Sequence, residues 1–291
     1  GMQAFVMNSR RHTLKDRRVR KAISGLFNFE WGNHYLAYNA YTRTDSFFEN
    51  SDLESRGLPE GRELEILEKF RGKIPDSIFT EEFKVPVYPA DPNKRWGKQR
   101  EMKREAFKLF EEAGYKIKNG RMVDGKTGEQ LEYEFLLLSP GFIRWISPLK
   151  VTMESMGIDV KIRVVDSAQY INRFEHYDYD IVVAVFWQNN TPGTDQRNLW
   201  HSSVVDQPGA RNYAGVNNPV VDELVDMVIK ADTRKELVAA TRALDRVLIS
   251  NHYIMPQWHA PHERLAYWQG LARPAYMPKY GLGFPTIWRK E

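Results

Sequence analysis

Two hydrophobic periods alternate along the second half of this chain, one of three to four residues and one of two. Residues 131–138 read as a strand that turns apolar at its end. Residues 142–156 place Ile146, Leu149, Met153 and Met156 on one helical face, and Gly157 stops that helix. Pro148 should bend it or mark its real start. In 159–165, Val160, Ile162 and Val164 oppose Lys161 and Arg163, the alternation of a strand. Asp166 with Gln169 forms a capping-box pattern that opens a helix through Tyr170, Ile171 and Phe174. The run 180–187 is almost wholly apolar, as in a strand covered on both faces.

This succession of strand, helix, strand, helix, strand predicts right-handed crossovers onto a mainly parallel sheet, hence an α/β lobe flanked by helices. Earlier, residues 3–8 predict a short strand, and Asp16 caps a helix burying Val19, Ala22, Ile23 and Leu26. From Asn28 to about Lys98 the pattern loosens, predicting a long excursion with one short helix near 60–70. Residues 103–113 predict a helix ended by Gly114. Two more helices are expected at 219–231, with Pro219 in the first turn after Asn218, and at 234–250, capped by Thr233 and Glu236. The tail 253–291 is strand-like, rich in Pro and aromatics, and reads as a segment that leaves the lobe to pack on something else.

Composition excludes several classes. Among 291 residues, 42 Lys and Arg stand against 38 Asp and Glu, a mixed surface rather than a nucleic-acid stripe. The densest basic run, Lys94, Arg95, Lys98, Arg100, Lys103 and Arg104, precedes Glu101, Glu105, Glu111 and Glu112 at helical spacings and reads as a solvated helix face. With no Cys there is no disulfide, thiolate metal site or Cys nucleophile. His252, His259 and His262 are separated by Pro256 and Pro261, so they cannot share a helix face, and neither metal nor cofactor is expected. No Gly-x-Ser-x-Gly elbow or Gly-rich phosphate loop occurs, and the carboxylates fall mostly on predicted caps and exposed helix faces; catalysis is not expected.

In α/β sheets ligands gather where strands end, which directs attention to the loop after the buried strand. Trp187, Asn189, Asn190, Asp195 and Arg197 are its candidate ligand-binding residues. The amides both donate and accept, Arg197 can fork onto a carboxylate, and Trp187 and Trp200 offer flat apolar walls. Gln188 lies among them and can point into the sheet. The plain alternative is a polar loop that caps the sheet.

Several stretches resemble one family, the extracellular solute-binding proteins of the peptide- and nickel-binding class, often called family 5. The resemblance is carried by Asn8 followed by Asp16, Arg18, Val19, Arg20 and Ala22; by Ala106, Leu109, Ala113, Gly114 and Tyr115; by Gly157 to Val160; by Tyr179 to Ile181; and by Asn212, Gly215, Asn218, Pro219, Val221 and Asp222. Phe186, Trp187, Gln188, Pro192, Gly193, Gln196 and Arg197 are most similar to the oligopeptide and microcin C importer branch.

The resemblance implies a type II periplasmic-binding-protein lobe: residues 1–250 as the second of two lobes with a long insert at about 39–98, and 251–291 as return strands toward the first. It implies a monomer that captures peptides or peptide-like solutes in the periplasm and delivers them to an ABC permease in the inner membrane. The chain is then expected to be the C-terminal portion of a secreted parent, which fits an N-terminus without a signal-peptide pattern. Where such relatives place an Asp for the peptide's amino end, this sequence has Asn190, with Asp195 as a possible substitute. A carbohydrate-binding or carbohydrate-active protein is the alternative, suggested by 8 Trp and 14 Tyr.

Overall fold

A computed structural model describes residues 1–89, 91–262, 264–272, 274, 276 and 288–289. Gly1–His259 forms one compact unit and Ala260–Glu291 another. The first contains ten helices and nine strands among its described residues. The helices are α1 (Arg17–Gly25), α2 (Phe29–Ala37), α3 (Gly61–Glu68), α4 (Ser77–Thr80), α5 (Pro92–Glu112), α6 (Ile143–Glu154), α7 (Ser167–Glu175), α8 (Asp195–Trp200), α9 (Pro219–Ile229) and α10 (Arg234–Ser250). The strands are β1 (Met2–Met7), β2 (Thr42–Arg43), β3 (Tyr115–Lys118), β4 (Arg121–Asp124), β5 (Glu132–Leu137), β6 (Asp159–Val164), β7 (Ile181–Phe186), β8 (Ile254–Pro256) and β9 (Trp258–His259). In the second unit, β10 (Leu271–Ala272) pairs antiparallel with β11 (Trp288–Arg289). His262 also lies in that unit.

The central sheet has the order β6-β5-β7-β1-β8. β5 is parallel to both β6 and β7, while β1 runs antiparallel to β7 and to β8. Four of the five strands therefore point the same way, with β1 reversed among them. Period-two alternation sends Met2, Ala4, Val6, Val182, Ala184 and Phe186 into a core with α3, α9 and α10. Phe5, Met7, Phe135 and Ile181 enter a second core with α1, α5 and α6. The sheet is thus sandwiched between helical layers, as its apolar β7 requires.

The helix starts follow their caps. Asp16 accepts from Arg18 N, Asp166 from Gln169 N, Asn218 from Val220 N, and Thr233 from Glu236 N. The excursion between Asn28 and Lys98 is more ordered than its pattern predicts. α2 starts at Asn28, whose side chain accepts from Trp31 N, and α5 begins at Pro92 rather than near Lys103. These segments lack a clean apolar stripe because they pack through scattered rings and one small residue: a Cβ on Gly32 would lie 2.5 Å from the Trp145 ring. Pro148 sits inside α6 and does not begin it.

Candidate functional site

Because β5, β6, β7 and β8 share a direction, the segments that follow them leave from one edge of the sheet. That edge is where ligands meet open backbone and loop groups in α/β folds. The segment after β7 begins with Trp187, 70% exposed, directly after the fully buried Phe186. Phe186 stacks on Trp200 at 4.9 Å, so Trp200, expected as a wall of the site, belongs to the core beneath it.

A chain of side-chain hydrogen bonds rises from that core. Trp200 Nε1 donates to Gln196 Oε1 at 3.0 Å, and Gln196 Nε2 donates to Gln188 Oε1 at 2.7 Å and to Asp195 Oδ2 at 2.8 Å. The relay ends at Gln188 Nε2, which is buried and has no acceptor. A second such group lies beyond β8. Gln257 is fully buried; its Oε1 accepts from Gln3 Nε2, and its own Nε2 has no partner. A buried donor left without an acceptor costs about 1–3 kcal/mol, so two of them at one sheet edge call for an explanation.

The other predicted residues divide by role. Asn189 Oδ1 accepts from Thr191 N at 2.7 Å and Asp195 Oδ1 from Gly193 N at 2.8 Å, contacts that shape the loop. The Asn190 carbonyl accepts from Arg234, while its side chain is exposed. Arg197 is already paired with a carboxylate of the same chain, its Nη2 donating to Asp226 Oδ1 on α9 at 2.6 Å. Trp187, Gln188, Asn189 and Asn190 thus lie on one loop, Asp195 opens α8 after it, and Arg197 of α8 faces α9.

Sequence reasoning missed the aromatic group on the neighbouring segments. Trp258 of β9 stacks on Trp145 of α6 at 3.9 Å, with Phe29 at 5.7 Å, Tyr41 at 5.8 Å and Phe142 at 6.3 Å from Trp258. Phe142 closes the segment after β5, and Trp258 follows β8 with only Gln257 between. No local pattern links rings so far apart in the chain.

The histidines play local parts. Burial and the nearby cations Arg17, Lys21 and Arg20 hold the His252 pKa well below the ordinary histidine value. His259 Nδ1 sits 3.2 Å from Thr44 Oγ1. Among the described residues, no three His, Asp or Glu side chains gather as a metal site, and no helix is long and apolar enough to cross a membrane.

Comparison with known proteins agrees with this architecture. The fold matches that of the oligopeptide-binding protein AppA from Bacillus subtilis, solved with a nonapeptide, at a TM-score of 0.69 and 15% identity, over 100% of this chain and 51% of that one. It is a type II periplasmic-binding-protein-like fold. In sequence, the chain is 45% identical over 287 residues to the probable peptide-binding protein YejA of Agrobacterium fabrum, covering 99% of this chain and 46% of that protein. It is 42% identical over 287 residues to the uncharacterized protein y4wM of Sinorhizobium fredii, covering 99% of this chain and 42% of that protein. The chain therefore spans about half the length of the curated relatives it matches. Residues 1–207, which contain β1, the parallel strands and the Trp187 loop, match the family described as bacterial extracellular solute-binding proteins, family 5 Middle, and this chain belongs to that family.

Proposed function

We propose that this chain contributes one lobe of the solute-binding component of an ABC importer, and that the solute is a peptide or a peptide-like compound. In this reading residues 1–250, with the insert at about 39–98, are the second lobe; β8 and β9, expected from the sequence to leave it, pair with β1 and β2 and belong to it as well, and the residues after His259 return toward a first lobe. The complete protein is a periplasmic monomer that closes around its solute, passes it to the inner-membrane permease and catalyses nothing. The oligopeptide and microcin C branch is the part of the family we favour.

The observation that carries the reading is the pair of acceptor-less amides, Gln188 Nε2 and Gln257 Nε2, just past the ends of β7 and β8. Main-chain carbonyls of an extended peptide are the acceptors such donors lack, and they provide affinity without regard to side chain. The exposed Trp187 ring adds apolar area. The peptide-binding name of the Agrobacterium relative supports peptides over carbohydrates.

Asn190 is neutral, and Asp195 is occupied by Gly193 N and Gln196. We therefore assign recognition to main-chain and ring contacts rather than to an ammonium clamp on this loop.

Mass spectrometry of small molecules that copurify with the complete protein tests the class. Peptides are expected. Calorimetry then tests the residues: Gln188→Leu or Gln257→Leu should weaken peptide binding about five- to tenfold, the worth of one neutral hydrogen bond. Exclusive recovery of saccharides, or unchanged affinity in both variants, refutes the assignment.

A further inference from the structure

The basic run of α5 does not stay together in the folded chain. Met102, Ala106 and Phe110 are buried beneath the helix, and Arg95 turns inward with them, so the residues on the far side face outward. Lys98 pairs with Glu101 at 2.8 Å, Glu105 with Lys21 of α1 at 3.1 Å, and Lys108 lies 3.9 Å from Glu112. Arg100 and Arg104, one turn apart, remain exposed and without an ion pair among the described residues. Lys103 beside them donates only to the neutral Ser155 Oγ, at 2.8 Å, which leaves its charge uncompensated. Glu111, near the end of the helix, is the carboxylate in line with them.

Gly97, Arg100, Lys103, Arg104 and Phe107 border a recess of about 420 Å³. Gly97 leaves the helix flank bare there, since a Cβ on it would meet nothing within 4 Å. At the same end of α5, large rings stand in solvent. Trp96 is 65% exposed and shares a wall between α2, α5 and α6 with Tyr35, 49% exposed, and with Val151, 66% exposed. Tyr38, 88% exposed, ends α2 in the left-handed conformation at φ 52°, where glycine or asparagine is the usual residue. Burial does not compensate for a bulky ring held in that conformation.

We propose that the outer face of α5, with the end of α2, docks on an anionic membrane surface. Arg100, Lys103 and Arg104 take the phosphates of phospholipid headgroups, and Trp96, Tyr35 and Tyr38 lie at the boundary between headgroups and acyl chains. Cations spaced along a helix match a plane of phosphates, and each adds an attraction that acts within about a Debye length of the surface. Trp and Tyr favour that boundary because each ring carries one polar edge on an apolar body. An acidic patch on another protein would complement the cations but leave the exposed rings unused. The inference goes beyond the solute reading, because it holds whichever solute the protein carries.

The test is cosedimentation of the complete protein with vesicles of phosphatidylethanolamine and phosphatidylglycerol, beside vesicles of phosphatidylethanolamine and phosphatidylcholine. Binding should favour the anionic vesicles by about tenfold or more and fade as ionic strength rises from about 0.1 M to about 1 M. Arg100→Gln/Arg104→Gln should weaken it about fivefold per charge, on the order of twenty-five-fold together, with an unchanged melting temperature. Lys69→Gln/Lys230→Gln makes the same change in net charge at the ends of α3 and α9, which pack on the other face of the sheet, and should leave vesicle binding within about twofold. Trp96→Ala should remove the part of the binding that survives high salt. Equal sedimentation with both kinds of vesicle, or equal losses in the two double variants, overturns the docking face and leaves the solute reading in place. Binding that requires the permease in the vesicle assigns the face to a protein partner and overturns the lipid assignment too.

Discussion

Asp245 offers a sharp test of how the 46–55 segment is fastened to the lobe. Its carboxylate is fully buried in α10 and accepts four hydrogen bonds. Oδ1 takes Phe47 N at 2.9 Å; Oδ2 takes Ser46 Oγ at 2.7 Å, Ser55 N at 3.0 Å and Ser55 Oγ at 2.7 Å. Burial raises its pKa above the usual aspartate value while these donors pull it down. Asp245→Asn keeps the shape but exchanges one oxygen for an NH2. Whichever way the amide is turned, that NH2 confronts a backbone N–H, of Phe47 or of Ser55. A charge-assisted bond worth about 1.5–3 kcal/mol is lost and a buried donor is stranded at about 1–3 kcal/mol, offset in part by relief of the buried charge. We expect a net loss of about 2–3 kcal/mol for Asn, and of about 4 kcal/mol for Ala, which strands every donor and opens a cavity. Urea unfolding followed by tryptophan fluorescence is the assay, since Trp200 lies 4.7 Å from Phe47 and reports on this corner. If Asp245→Asn unfolds within about 0.5 kcal/mol of the parent at an unchanged slope, the fastening argument is wrong.

Three further outcomes follow from other parts of the molecule. Burial, aided by Asp45 and Glu54, pushes the Glu49 pKa up from 4.5 to about 7, against the pull of the Asp45 N–H and Arg56. The folded state then keeps a proton that the unfolded state releases, so stability should decline as pH rises from about 4.5 to about 7. Glu49→Gln should remove that slope in a pH series of melting curves, and a slope equal to the parent's would count against the assignment. Gly215 has φ +69°, and a Cβ there would lie 2.8 Å from Arg10 Nη1 and 2.9 Å from Arg10 Cγ. Because Arg10 is tied to the Asn212 carbonyl at 2.8 Å and lies 3.7 Å over Tyr177, Gly215→Ala should cost about 2–3 kcal/mol in urea unfolding; a loss below about 0.5 kcal/mol rejects this. The Arg197–Asp226 pair is half exposed, so Asp226→Asn should alter unfolding free energy by less than about 0.5 kcal/mol; a loss above about 1.5 kcal/mol would show that the pair is structural.

How much of this was legible in the chain follows from the range of each interaction. Asp16, Asp166, Asn218 and Thr233 cap helices by bonding to backbone two or three residues away, so their signals are local and were readable. The apolar run of β7 announced a doubly covered strand and placed the loop that follows it at a sheet edge. Even the β3–β4 hairpin had a local mark that went unread: Asn119 and Gly120, both at positive φ, form the two-residue turn such hairpins favour. α2 and the first half of α5 were hidden because their buried faces are interrupted by polar residues and completed by distant rings.

The sequence by itself determined the α/β class, most helix starts and the position of the Trp187 loop, since each depends on neighbours a few residues apart. Only the tertiary structure decided that Arg197 turns to Asp226, 29 residues on, that Gln257 ends beside Gln3 with an unused donor, and that Trp145 meets Trp258. A side chain's partner is fixed by which elements the packed core brings together, and that pairing is a property of the whole chain rather than of any window along it.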